Sequence, residues 1–210
     1  MIIAIDGPAG AGKSTIARRI ALHFGIAHLD TGSLYRAVAL EAMALGDPAD
    51  PVIAERAARA LDLSVLEDRR LRDEAVTAAS SVVAAIPGVR AALLEFQRSF
   101  ARREGGAVLD GRDIGTVICP DADAKLFLTA TPEARAARRT RELQGEAGGS
   151  IYRRVLEDMK ARDARDSVRQ AAPLVPAGDA TVIDTSTLDA DAVFAAALAA
   201  IHGKLAVTKR

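Results

Sequence analysis

A chain of 210 residues suits one domain with small excursions and is long enough to bury a sizeable core. Its 28 basic side chains balance 28 acidic ones, so no global field draws it to nucleic acid or a membrane, and any anion site must come from local clustering. A single cysteine, Cys119, excludes an intrachain disulfide and a multi-cysteine metal centre, and no apolar run approaches the roughly 20 residues that span a bilayer.

Residues 1–5 form an apolar run that predicts a buried parallel strand. It lacks the basic region and apolar stretch of a signal peptide, so a cytoplasmic location is expected. Gly7-Pro8-Ala9-Gly10-Ala11-Gly12-Lys13-Ser14 follows and fits G-x-x-x-x-G-K-[ST]. Residues 15–24, from Thr15, then carry Ile16, Ile20 and Phe24 at helical spacing. In that strand–loop–helix setting, glycines let backbone N–H groups turn inward and the helix N-terminus adds partial positive charge. Lys13 reaches the outer phosphates and the Ser14 hydroxyl holds a magnesium ion. The plain alternative is a glycine-rich turn that matches by accident; a full match between a strand and a helix favours nucleoside triphosphate binding.

A second strand is predicted at 27–30, and Thr31-Gly32-Ser33 caps a helix that Gly46-Asp47-Pro48 stops. The helical segment 51–61 has Val52, Ile53, Ala57, Ala60 and Leu61 as its apolar positions. An insert spans about 62–104: charge is dense over 67–74, residues 75–85 read as helix, and Pro87-Gly88 breaks it. A strong helix over 89–103 then aligns Val89, Leu93, Phe96 and Phe100. Strands are predicted at 107–110 and 124–128. Thr131-Pro132-Glu133 opens an arginine-bearing helix, and a glycine-rich joint at 145–150 leads into another over 151–169. The last strand is 181–184 and the last helix 189–204, with a fraying tail. Strands alternating with helices predict an α/β fold, a five-stranded parallel sheet with helices on both faces, plus the insert and a mobile lid at about 143–160.

Magnesium is held by few protein oxygens plus substrate phosphates. Ser14 is the expected direct ligand, and Asp110, ending an apolar strand, is placed to orient metal-bound water; its alternative is a loop carboxylate accepting backbone N–H bonds. Asp6, ending the first strand, is open to either role. His23, His28 and His202 share no ligand spacing and read as core or surface residues, and Cys119 as a small semi-buried hydrophobe. Nine arginines lie between 135 and 169 and, with Lys160, face six acids, a surplus of four. Arg162, Asp166 and Arg169 fall on one helix face. A solvated helix laced with ion pairs is the bland reading; beside a phosphate loop, with Arg36 and Arg112 each just past a strand end, anion handling is favoured. No dedicated general base stands out, although Asp30 and Asp113 are candidates, and a phosphate acceptor is already an anion that needs charge cancellation more than deprotonation.

These residues form runs that resemble the bacterial cytidylate (CMP/dCMP) kinases of the nucleoside monophosphate kinase group. The resemblance covers Ile3-Ala4-Ile5-Asp6-Gly7-Pro8 with the phosphate loop, Leu29-Asp30-Thr31-Gly32-Ser33-Leu34-Tyr35-Arg36, Ala78-Ala79-Ser80-Ser81-Val82 through Arg90, Asp110-Gly111-Arg112-Asp113-Ile114-Gly115, and Arg162-Asp163-Ala164-Arg165-Asp166 with Arg169. It implies a P-loop NTPase fold and phosphoryl transfer from ATP with Mg2+ to CMP or dCMP. Ser81, Arg90 and Asp113 would read cytosine; Arg162 and Asp166 would hold the ribose; Arg36, Arg112 and Arg169 would hold its phosphate. Lys13, Arg112, Arg162 and Arg169 would carry catalysis, and Arg135, Arg138 and Arg139 would belong to the lid over the donor. Family members commonly carry more strand-forming sequence before Ala75, where this chain is compact and charged, which implies a smaller base-side insert.

Other readings are a same-fold kinase for a sugar acid or shikimate-like alcohol, and a nucleotide-dependent switch or binding module. The arginines flanking Asp166 and the Ser81/Arg90/Asp113 set argue against the first. Guanine-specific switches use Asn-Lys-x-Asp, and this chain has no asparagine. Five phenylalanines, two tyrosines and no tryptophan give few stacking platforms, so nucleic-acid binding is not expected; nor is a membrane partner, and a monomer is.

Overall fold

The first strand, β1 (Ile2–Asp6), is apolar without alternation because it is central and loses both faces to the interior. Its neighbours are β3 (Ala107–Gly111) and β4 (Ala124–Thr129), both parallel to it, with Ile5 opposite Asp110 and Asp6 opposite Phe127. With β2 (Ala27–Asp30) and β5 (Thr181–Asp184) at the edges, the expected five-stranded parallel sheet has the order β2-β3-β1-β4-β5. The structure is a computed structural model and describes residues 1–144, 149–168 and 172–208.

Chain contacts divide the protein into two compact units, Met1–Leu29 with Ala101–Arg210, and Asp30–Phe100. In the first, α1 (Lys13–Phe24) and α8 (Ala190–Thr208) pack against each other and against the sheet. Ile16 and Ile20 from α1 join Ile3, Ile5, Val108, Leu126, Leu128, Val193 and Ile201 in one buried cluster. Two further helices, α6 (Pro132–Gln144) and α7 (Gly149–Ser167), pair through Ala136, Val155 and Met159. Thr131 Oγ1 accepts from Ala134 N at 3.2 Å, the cap anticipated for α6.

The unit Asp30–Phe100 is helical. Its centre is α2 (Thr31–Leu45), which packs on α3 (Pro51–Arg59) and α4 (Glu74–Val83) and buries Leu34, Val38 and Ala42. The charged stretch forms two 3-10 turns, Leu63–Glu67 and Arg69–Arg72, started by Asp62 and Asp68, which accept from Ser64 N and Arg70 N. Pro87 occupies the first position of α5 (Pro87–Ala101), which leaves α4 at 97°.

Some local expectations differ. Thr31 is the first helical residue of α2, with Asp30 at the cap position. Along α3 the buried positions are Ala54, Ala57 and Ala58, while Val52 is exposed; small alanines permit close helix approach, and apolarity alone misassigned the face. A π-helical turn, Ile114–Ile118, follows β3 and has no signature in the sequence. The last helix runs four residues past 204, to Thr208. Residues 145–148 of the expected lid lie outside the described residues. Among those described, no single helix is long and apolar enough to cross a membrane.

Candidate phosphate-binding and transfer site

The phosphate loop leaves β1 at Gly7, whose φ is +145° and where a Cβ would sit 2.0 Å from the Leu128 carbonyl oxygen, so only glycine lets the chain pass β4. It enters α1 through Gly12 in the left-handed region, φ +87°. Three of its carbonyls are held by side-chain donors, one from the loop itself and two from distant segments. Lys13 Nζ donates to Pro8 O at 2.8 Å, an Arg135 guanidinium nitrogen to Ala9 O at 3.1 Å, and Thr185 Oγ1 to Ala11 O at 3.2 Å. With its carbonyls tied back, the loop runs into a helix N-terminus, where N–H groups lacking intrahelical partners favour an anion. Lys13 is 7% exposed, so its charge acts in a site with little water. Thr15, in the first turn of α1, is exposed.

Beside the loop, Ser14 Oγ donates to Asp110 Oδ2 at 2.7 Å. Parallel pairing of β1 with β3 brings Asp110 level with Ile5, so the carboxylate and the loop share one end of the sheet. A hydroxyl beside a carboxylate is a hard-oxygen donor pair that suits Mg2+, which takes one or two protein groups and completes its shell with water and phosphate. Among the described residues no group of three or more His, Cys, Asp or Glu side chains could hold a metal ion by itself. Ser14 as direct ligand, with Asp110 acting through water, fits a shared protein–nucleotide site.

The second carboxylate at this end has a different task. Asp6 accepts from Ile114 N and Gly115 N, each at 2.7 Å, and so anchors the π-helical turn that follows Asp113. Burial pushes its pKa up to about 6 even though the two N–H bonds pull the other way. Of the two roles left open for Asp6, this is the backbone-bonded one. Sequence reading also missed His28: its Nε2 lies 2.7 Å from Asp110 Oδ1, on the far side of the carboxylate from Ser14.

The arginines of the first unit divide by partner. Arg112 Nε donates to Asp166 Oδ2 at 2.8 Å, bringing together two residues expected on the acceptor. Arg162 lies one helical turn before Asp166 on α7, and Asp113, 4% exposed, opens the π-helical turn. Arg135 is buried; besides Ala9 O it donates to Ala130 O and to both oxygens of Asp163, tying α6 and α7 to the loop. Arg138 donates to Thr185 Oγ1 at 3.0 Å and to the Thr185 carbonyl, bracing the residue that holds Ala11. Arg139 is paired with Glu142 at 3.1 Å. Arg169 lies outside the described residues.

In the unit Asp30–Phe100, Arg36 donates to Asp30 Oδ2 at 2.8 Å. Arg90 donates to Ala84 O at 3.3 Å, and its guanidinium carbon lies 5.7 Å from the Tyr35 ring centroid. Ser81 is buried on α4 with its hydroxyl donating to Ala78 O at 2.9 Å, within its own helix.

The family model described as Cytidylate kinase matches residues 3–203. A cytidylate kinase of Methylocella silvestris is 58% identical over 203 residues, covering 96% of this chain and 94% of that protein. One of Xanthobacter autotrophicus is 56% identical over 206 residues, covering 98% and 99%. Among solved structures, an uncharacterized protein from Eubacterium ventriosum superposes with a TM-score of 0.56 at 18% identity, covering 96% of this chain and 98% of that one. A Thermus thermophilus protein does so with a TM-score of 0.50 at 24% identity, covering 98% and 97%. These two likenesses speak to the fold alone.

Proposed function

We propose that this chain, which belongs to the cytidylate kinase family, transfers the γ-phosphoryl group of ATP to CMP or dCMP, giving ADP with CDP or dCDP. The observation that carries the reading is the 2.7 Å hydrogen bond from Ser14 to Asp110 at the head of a loop braced on three carbonyls. Residues 7–15 bind the donor phosphates, with Lys13 opposing the charge on the migrating group. Ser14 directly and Asp110 through water would hold Mg2+, which would supply positive charge against the donor phosphates. Arg135 and Arg138 serve the donor by bracing its loop, and Arg139 belongs to the lid.

On the acceptor, Arg36, Arg112 and Arg169 hold the phosphate, Arg162 and Asp166 the ribose, and Ser81, Arg90 and Asp113 the cytosine. Ser, Arg and Asp together offer the mixed donors and acceptors that a base edge requires. An oxygen of the acceptor phosphate attacks the γ-phosphorus as the bond to the β–γ bridging oxygen breaks, so no phosphoenzyme forms. Arg112 and Arg162 disperse the charge of the two approaching polyanions. A single kinase domain with a base-side insert at about 62–104, a lid at about 143–160 that excludes water, a monomeric state and a cytoplasmic location belong to the same proposal.

The test is ADP release from ATP and Mg2+ with CMP, dCMP, UMP or AMP as acceptor. CMP and dCMP are expected to support turnover well above UMP and AMP; equal rates with all four, or none with any, would overturn the cytosine reading.

A further inference from the structure

His28 sits in β2 and belongs to no recognisable ligand pattern, yet it touches the carboxylate on which the metal reading rests. Asp110 Oδ2 accepts from Ser14 Oγ, and Asp110 Oδ1 lies 2.7 Å from His28 Nε2. A carboxylate oxygen only accepts, so Nε2 carries the hydrogen and Nδ1 is the other ring position. The Asp110 side chain is 2% exposed and the imidazole 15%, so water competes little for either contact. An aspartate's terminal torsion is broad and nearly two-fold, so each hydrogen bond to the carboxylate narrows the planes that it can take. Bonds to both oxygens, from opposite sides, select one plane.

We propose that His28 is a positioning residue for the magnesium site: by holding Oδ1 it fixes the orientation in which Asp110 presents Oδ2 to Ser14 and to metal-bound water. The proposal rests on the reading of Ser14 and Asp110 as that site. Groups that hydrogen-bond a metal-ligating side chain orient it, and their loss costs about 10- to 100-fold in metal affinity or activity; His28, one step further out because Asp110 acts through water, belongs at the low end of that range. A histidine that merely filled space beside β3 would be replaced without loss by an apolar residue of similar bulk. One that acts through its N–H is replaced by glutamine, whose amide nitrogen reaches about as far as Nε2.

Mn2+ titrated into the ADP-saturated protein and followed by electron paramagnetic resonance reads the metal site without turnover. His28→Leu is expected to weaken Mn2+ binding about 10-fold, and His28→Gln to stay within about threefold of the unsubstituted protein. In turnover, His28→Leu lowers kcat while KM for CMP is unchanged. Should His28→Leu fail to fold, long-range 1H–15N spectra of the unsubstituted protein decide instead: the Nε2–H tautomer is expected, and the Nδ1–H tautomer overturns the proposal. Mn2+ affinity in a folded His28→Leu equal to that of the unsubstituted protein overturns the role of His28 alone. No Mn2+ binding by the unsubstituted protein with ADP overturns the metal reading of Ser14 and Asp110 as well.

Discussion

Around the phosphate loop, Lys13, Asp6 and Asp110 are all buried, and each is held by a partner distant in the chain or by the loop itself. In the unit Asp30–Phe100, Arg36 and Arg90 are half-buried and tethered to neighbours six residues away, Asp30 and Ala84. The contrast is the one that the proposed roles of the two regions call for. Charge that must act on a developing transition state works best when fixed in place and shielded from water before the substrate arrives. Side chains that recognise a base or an incoming phosphate need only be kept nearby, because the ligand supplies the final acceptor.

Lys13→Ala tests that contrast most severely: kcat for ATP with CMP is expected to fall by about 10³-fold, the scale for losing a pre-organised charge donor. A loss in ADP release no greater than that of Arg36→Ala would erase the distinction. Next come two arginines on one helix. Arg135→Ala strands Asp163 and loosens the loop, and should lower unfolding free energy in denaturant by about 3 kcal/mol. Arg139→Ala breaks, among the described residues, the exposed pair with Glu142 and should change it by less than about 0.5 kcal/mol. Equal losses would mean burial is not what separates them.

Asp6 sharpens the comparison through pH. Its folded pKa of about 6 lies above the ordinary 3.8, so the native state takes up this proton before the unfolded chain does. The corresponding stability is fully present below pH 3.8 and is lost as pH rises through 6, about 3 kcal/mol in total. Asp6→Asn should flatten that part of the stability–pH curve measured by denaturant unfolding; an unchanged slope would remove Asp6 as its source. Among the effects on turnover a smaller one is expected at Ser81→Ala, where KM for CMP should rise about 10-fold with kcat unchanged, as for one lost ligand hydrogen bond. Unaltered KM would remove Ser81 from base reading.

The loop and the five strands were legible because their signals are local: spaced glycines before Lys13-Ser14, and short apolar runs ending at Asp6, Asp30, Asp110 and Asp184. The place of Asp110 beside the loop was legible from the apolar run before it. His28 was not, because its meaning depends on β2 lying next to β3, and strand order leaves no mark on a single histidine. The task of Asp6 was hidden for a related reason: its partners are backbone N–H groups of a π-helical turn, which any residues there would supply. On α3, Val52 outranked Ala54 and Ala58 in apolarity, but where helices approach closely the smaller side chain takes the inside position. The bracing contacts of Arg135 left no mark in the sequence, because sequence reports charge and not burial and its partners are 28 and 126 residues away.

The hydroxyl of Thr185 reaches back 174 positions to steady Ala11. Thr185 follows β5, so translation makes it long after the loop that it steadies. A nascent chain therefore displays the complete nucleotide signature long before it owns every brace that shapes it. The set of braces on the loop is complete only once the segment carrying Thr185 has docked.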